Sequence, residues 1–257
     1  MCYAMREQGR NQVNLNTNTN ARGATTVETD AGLRSFMLGV YNRMALALLL
    51  TALLATLSTQ QPLAELIHGV GADGKPTMTI IGMICAFGPL LLILGLGLTG
   101  LTRTVTGSAV ALFGVAALFG LSLGSLAFIY TATSLGMTFM ITASMFFALS
   151  LFGYTTKINL NAVGSACIML LFGLIIAMVI NIFLKSSVMD FVISLAGVVI
   201  FSVLTAWDTQ RLKSDYAGAG GDKTSLTVAA NNGALNLYLD FVNLFLFLLR
   251  FLGVKKD

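Results

Sequence analysis

Seven apolar segments, each about as long as a helix needs to cross a hydrocarbon core, leave this chain few ways to fold. They run roughly over residues 37–58, 78–101, 107–130, 134–155, 162–184, 188–208 and 233–253. Inside lipid every backbone N–H and C=O must be satisfied within the protein, so segments of this length and character predict helices. The expected fold is all-α: a polytopic membrane protein with seven transmembrane helices. Composition agrees, since only 10% of the 257 residues are charged, against about 25% in a soluble domain. The net charge of +4 comes from basic residues in the connections and does not imply nucleic acid.

Residues 1–32 are polar, with Asn14, Asn16, Asn18 and Asn20 close together. They lack the apolar stretch of a signal peptide and are expected to form a disordered arm. The transmembrane domain then occupies 33–257. The arm, the even-numbered connections and the start of the first span carry ten of the fifteen Lys and Arg, including Arg34, Arg103, Lys157 and Arg211. The odd-numbered connections and the tail carry five, which places the N-terminus in the cytosol. Seven spans then put the C-terminus outside, although a last segment that dips in and returns is an alternative. The connection 209–232, charged and holding Gly218, Gly220 and Gly221, is expected to be a flexible loop.

The last apolar segment contains a carboxylate, Asp240. An ionised side chain facing lipid near mid-membrane costs about 2.5–3.5 kcal/mol on insertion scales, so Asp240 is expected to face protein, water or a partner. Asn236, Asp240 and Asn243 lie at i, i+4 and i+7 and share one face. A polar stripe on an otherwise apolar helix suits a helix at the centre of a bundle. The plainer reading is interhelical hydrogen bonding, at roughly 0.6–2 kcal/mol per amide.

Asp208 ends the sixth segment in Leu204-Thr-Ala-Trp-Asp-Thr-Gln-Arg211. A helix C-terminus and burial both disfavour an ionised carboxylate there, and a second carboxylate nearby would add to this. Asp240 sits about two turns inside the seventh segment from the same side, so the two can meet; alternatively Asp208 pairs with Arg211. Arg103 closes the second segment on that side, as a partner for Asp208 or as a topology-setting flank. Asn181 in the fifth segment is a candidate for the same network. Cys2, Cys85 and Cys167 show no paired spacing, and His68 stands alone, so neither a disulfide framework nor a zinc site is suggested. No HExxH, GxSxG or Walker motif is present, and no enzyme chemistry or cofactor is expected.

Leu237-Tyr-Leu-Asp-Phe-Val-Asn-Leu-Phe245 with Leu248-Leu-Arg250 resembles the closing motif of the Bax inhibitor-1 (transmembrane Bax inhibitor motif) family. Phe201-Ser-Val-Leu-Thr-Ala-Trp-Asp-Thr-Gln210 resembles its preceding motif, with Trp207 where Tyr is usual. Phe147–Lys157, Ile180-Asn-Ile-Phe183 and Gly32-Leu-Arg-Ser-Phe-Met37 are similar to it too, the last as in bacterial members. Asn159 stands where many members have Asp, and an arginine run after the second helix is reduced to Arg103.

The resemblance implies seven helices with the last one central, and a pH-sensitive calcium leak in which two aspartates share a proton. By motif these are Asp208 and Asp240, which would also form a weak calcium site, with Arg103 as the latch and Asn236, Asn243 and Asn181 lining the pathway. Ca²⁺ is then the transported ion, in a bacterial inner membrane, through a protein monomeric in function. Bacterial relatives also include a regulator of a membrane-anchored ATP-dependent protease, engaged partly through its N-terminal arm. That leaves a non-conducting interaction protein as the rival reading, and a proton-coupled transporter as a third.

Overall fold

A computed structural model of the chain describes residues 31–70 and 76–256. The polar arm, residues 1–30, and Lys75 therefore lie outside the described residues. Among the described residues, seven helices are long and apolar enough to cross a membrane: α1 (Ala31–Leu57), α3 (Ile80–Leu98), α4 with a short continuation α5 (Val105–Leu123 and Leu126–Ile129), α6 (Ala132–Thr155), α7 (Asn161–Leu184), α8 (Ser187–Gly218) and α9 (Lys223–Leu252). Between α1 and α3 lie a single helical turn, α2 (Leu63–Ile67), and a two-stranded antiparallel hairpin pairing His68–Val70 with Pro76–Met78. The helix α1 begins at Ala31, so the last two residues of the expected arm belong to the first span.

The spans start where a side-chain oxygen meets an orphan amide. Thr79 accepts from the Gly82 N–H, Thr104 from Gly107, Thr131 from Ser134 and Ser186 from Met189. At α9 the cap is Asp222, whose carboxylate accepts from the Ser225 N–H at 2.7 Å. These bonds hold the exposed Asp222 carboxyl below its ordinary range. A carboxyl lowered in the folded state stabilises it above the ordinary pKa of about 3.9 and loses that contribution as pH falls through the folded value. Acidification below about pH 4 is therefore expected to loosen the first turn of α9. Amide-exchange protection at residues 223–227 reads this directly. Asp222→Asn should keep a cap and remove the acid dependence; protection in the parent chain that ignores pH contradicts the assignment.

The core is built around α9. Of its most apolar stretch 56% is buried, against 11% for α7. Its Ala234, Leu237 and Tyr238 pack with Val40 and Ala47 of α1 and Leu112 and Val115 of α4. Leu244, Phe247 and Leu248 pack with Ile200, Phe201 and Leu204 of α8 and with Leu174 of α7. Phe241 meets Phe146 of α6 edge-on at 5.5 Å between ring centres, and α3 packs chiefly on α4. Gly120, which forms a GxxxG pair with Gly124, marks a close helix contact: a Cβ on it would lie 2.8 Å from the Thr51 carbonyl oxygen of α1.

Two expectations change. The connection 209–232 is not a loop: α8 continues to Gly218, only Ala219–Asp222 turn, and α9 starts at Lys223. Its charges lie on amphipathic helix ends, where Leu212 and Tyr216, four apart, and Leu226 and Ala230, also four apart, face the interior. Phe36 of α1 rests against Tyr216 at 5.5 Å. Nor does the last segment dip and return. It is one continuous helix, and the tail beyond it docks at the far end of the bundle, where Thr131 N–H donates to the Val254 carbonyl at 3.1 Å. The tail is thus on the side opposite the Ala219–Asp222 turn.

Candidate functional site

Asp240 projects from the middle of α9 into the contact with α8 and is 4% exposed. Its carboxyl faces that of Asp208, half-buried on α8, within hydrogen-bonding reach. The Oδ2 of Asp240 has no hydrogen-bond partner among the described residues. Among the described residues neither carboxylate forms an ion pair. The other charges that act on Asp208 are Arg211, one turn further along α8, and Asp215 beyond it. Two carboxyl groups this close disfavour each other's ionised form, and a proton or a cation between them would relieve the repulsion.

Around the pair the helices are tied by hydroxyls and amides. Tyr238 OH and Thr51 Oγ1 lie 2.8 Å apart, and Thr51 also reaches the Ala116 carbonyl at 2.9 Å, joining α9, α1 and α4. Thr209, next to Asp208 in sequence, lies 3.0 Å from Ser150 of α6, which is itself bonded to Tyr41 of α1. Asn231 Nδ2 donates to Ser108 Oγ at 3.0 Å, and Asn232 Nδ2 to the Thr102 carbonyl at 3.2 Å. None of these neighbours was singled out from sequence. The readable signal was in α6, where Ser134, Thr138, Thr142, Phe146 and Ser150 repeat every fourth residue and all are buried.

The other expected site residues separate. Asn236, one turn from Asp240, is exposed and lines a polar cavity of about 500 Å³ with Arg103, Arg211, Ser214, Asp215 and Asn232. This vestibule opens at the basic end of the bundle. Arg103 lies in it and makes no ion pair with Asp208. Asn243 turns back on its own helix, donating to the Leu239 carbonyl at 2.8 Å. Asn181 sits at the opposite end of the bundle, where its Oδ1 accepts from the Ser186 N–H at 3.1 Å and holds the turn between α7 and α8. These two amides satisfy themselves locally and lie outside the vestibule. The ring N–H of Trp207 donates to Asn161 Oδ1 at 3.0 Å, fixing α8 on the start of α7. Cys85 and Cys167 are buried free thiols. Among the described residues no three His, Cys, Asp or Glu come together as a metal centre.

The geometry can therefore hold one proton or one loosely bound cation between two helices, below a polar vestibule. Residues 33–257 match the protein family described as "Inhibitor of apoptosis-promoting Bax1". An uncharacterized protein of Caulobacter vibrioides is 44% identical over 90% of this chain and 93% of its own length. The uncharacterized protein RP147 of Rickettsia prowazekii is 47% identical over 89% and 93%. The inner membrane protein YbhL of Escherichia coli is 38% identical over 91% and 98%. With the seven-span bundle and its central last helix already in place, the match over nearly the whole chain shows that this protein belongs to the Bax inhibitor-1 family.

Proposed function

We propose that the protein is a pH-sensitive calcium leak of a bacterial inner membrane, with Asp208 and Asp240 as proton sensor and ion site. The observation that carries the reading is the facing carboxyl pair, in which Asp240 is buried and one of its oxygens is unpartnered. The name of the Escherichia coli relative supports the membrane assigned, and the basic arm and connections support a cytosolic N-terminus. Tight calcium sites use six to eight oxygens. Two carboxylates, with Asn236 and water, offer a weak and partly hydrated site, which suits passage rather than storage.

Ca²⁺ is the substrate here, and the chain's own residues do two things. Asp208 and Asp240 supply negative charge where the ion loses water, and a proton held between them withdraws it. Arg103, at the vestibule, latches α3–α4 to the end of α8 when the carboxylates are ionised. Acid weakens both the latch and the cation site, so flux is expected to peak at an intermediate pH.

Purified protein in liposomes with a trapped calcium dye tests the reading. Expected is calcium influx above that of protein-free liposomes, retained when residues 1–30 are removed. No influx, together with loss of the cellular phenotype on removing 1–30, would instead identify a non-conducting modulator of a membrane protein such as an ATP-dependent protease.

A further inference from the structure

A second cavity lies away from the carboxylate pair. It is a groove of about 730 Å³ between α1 and α6, in the half of the membrane nearest the basic end, and its lining is almost wholly apolar. From Arg34 to Leu48 it follows α1 for about 21 Å. That is comparable to one leaflet, half of a bilayer about 40–45 Å thick including its headgroup regions. Leu38, Phe147 and Leu151, exposed by 54%, 71% and 52%, form lips that open sideways towards lipid. A volume of this size falls within the roughly 300–1,000 Å³ of ordinary ligand sites. Water has few partners on such walls, so the groove suits hydrocarbon better than water.

The groove has polarity only at its ends and floor. Arg34 stands at the mouth on the basic end; it is exposed, and among the described residues it makes no hydrogen bond or ion pair. No carboxylate lines the groove. Tyr154, at the same end, carries a second cation: Lys213 Nζ bonds its carbonyl and lies 5.0 Å from its ring centre. An acyl-length apolar trough ending at an arginine that makes no ion pair among the described residues matches an anionic phospholipid, with one chain in the trough and the phosphate at Arg34. A guanidinium grips a phosphate through two bonds where an ammonium acts as a point charge. We infer that the α1–α6 groove is a binding site for an anionic phospholipid of the leaflet at the basic end of the bundle. The inference does not depend on calcium conduction. It also gives the lipid a route to the site, since the floor residues Tyr41 and Ser150 bond on to Thr209, beside Asp208.

Native mass spectrometry of the full chain, offered equal amounts of phosphatidylglycerol and phosphatidylcholine with identical acyl chains, tests it. Expected is retention of phosphatidylglycerol over phosphatidylcholine by about fivefold or more, the worth of one cation at a membrane surface. Arg34→Gln should bring the ratio close to one, and Arg34→Lys should restore most of it. Ala45→Trp, at an exposed position in the groove, should reduce retention of both lipids. Equal retention by the parent chain, or an unchanged ratio in Arg34→Gln, overturns the site. Arg34 is exposed, so that variant reads the headgroup contact without disturbing the core.

Discussion

Asp240→Ala is expected to reduce calcium influx into liposomes by about tenfold or more, the equivalent of 1.4 kcal/mol, whereas Asn243→Ala should change it by less than about twofold. Both residues lie on the polar face of α9, and the structure separates them. Asp240 faces Asp208 and leaves an oxygen unpartnered. Asn243 spends its amide on the Leu239 carbonyl of its own helix. On the proposed reading, removing Asp240 takes away half of the negative charge that would offset the ion's loss of water. Removing the Asn243 amide costs one local hydrogen bond, worth about 0.5–1.5 kcal/mol of stability. Folding provides a second readout. A buried carboxylate without a complete set of partners contributes little stability, and its replacement by an apolar group is often neutral or stabilising. Asp240→Ala should therefore keep or raise the thermal midpoint while it loses flux. Loss of both together, or equal small effects from the two substitutions, would mean that the whole stripe only holds helices together.

Arg103→Ala is expected to leave the protein conducting at alkaline pH, where the parent chain is expected to close. The proposed latch would act when its carboxylate partner is ionised and be lost as protons arrive. In the present conformation Arg103 shares the vestibule with Asp215 and Arg211 and is not paired with Asp208. On the proposed reading the closing contact requires Arg103 to move towards α8. An ion pair in a partly dry mouth should favour the closed form by about 1–3 kcal/mol after desolvation. That corresponds to a change of about fivefold to more than a hundredfold in the open fraction. Charge exchange identifies the partner. Arg103→Asp combined with Asp208→Arg should restore part of the closure, whereas combination with Asp215→Arg should not. Rescue by Asp215→Arg alone would move the latch to the outer carboxylate; closure at alkaline pH in Arg103→Ala would return Arg103 to a topology-setting flank.

The fold was largely legible because hydrocarbon thickness dictates span length. The fifth segment, expected at 162–184, is Asn161–Leu184. The errors cluster where helices leave the membrane. Hydropathy falls there, and residues 209–218 and 223–232 look like a charged loop although Leu212, Tyr216, Leu226 and Ala230 still bury one face. The facing of Asp208 and Asp240 was readable because intramembrane carboxylates are costly and two of them on one side of the bundle can relieve each other. The amides were not readable. An Asn in a helix can bridge helices, bond its own backbone or cap a turn, and spacing alone does not choose; Asn231, Asn243 and Asn181 do one each. Hydroxyls such as Thr51 and Ser150 were missed for a related reason. In an apolar segment a Ser or Thr passes for a small packing residue, and only its partner on another helix marks it.

Calcium influx into liposomes across a series of pH values, for the parent chain, Asp208→Asn and Asp240→Asn, tests the central claim most directly. The account predicts influx that changes with pH in the parent chain, and a profile flattened in each variant because the remaining carboxyl has lost the partner with which it shares a proton. Influx no greater than in protein-free liposomes, or a pH profile that both variants leave unchanged, would contradict it.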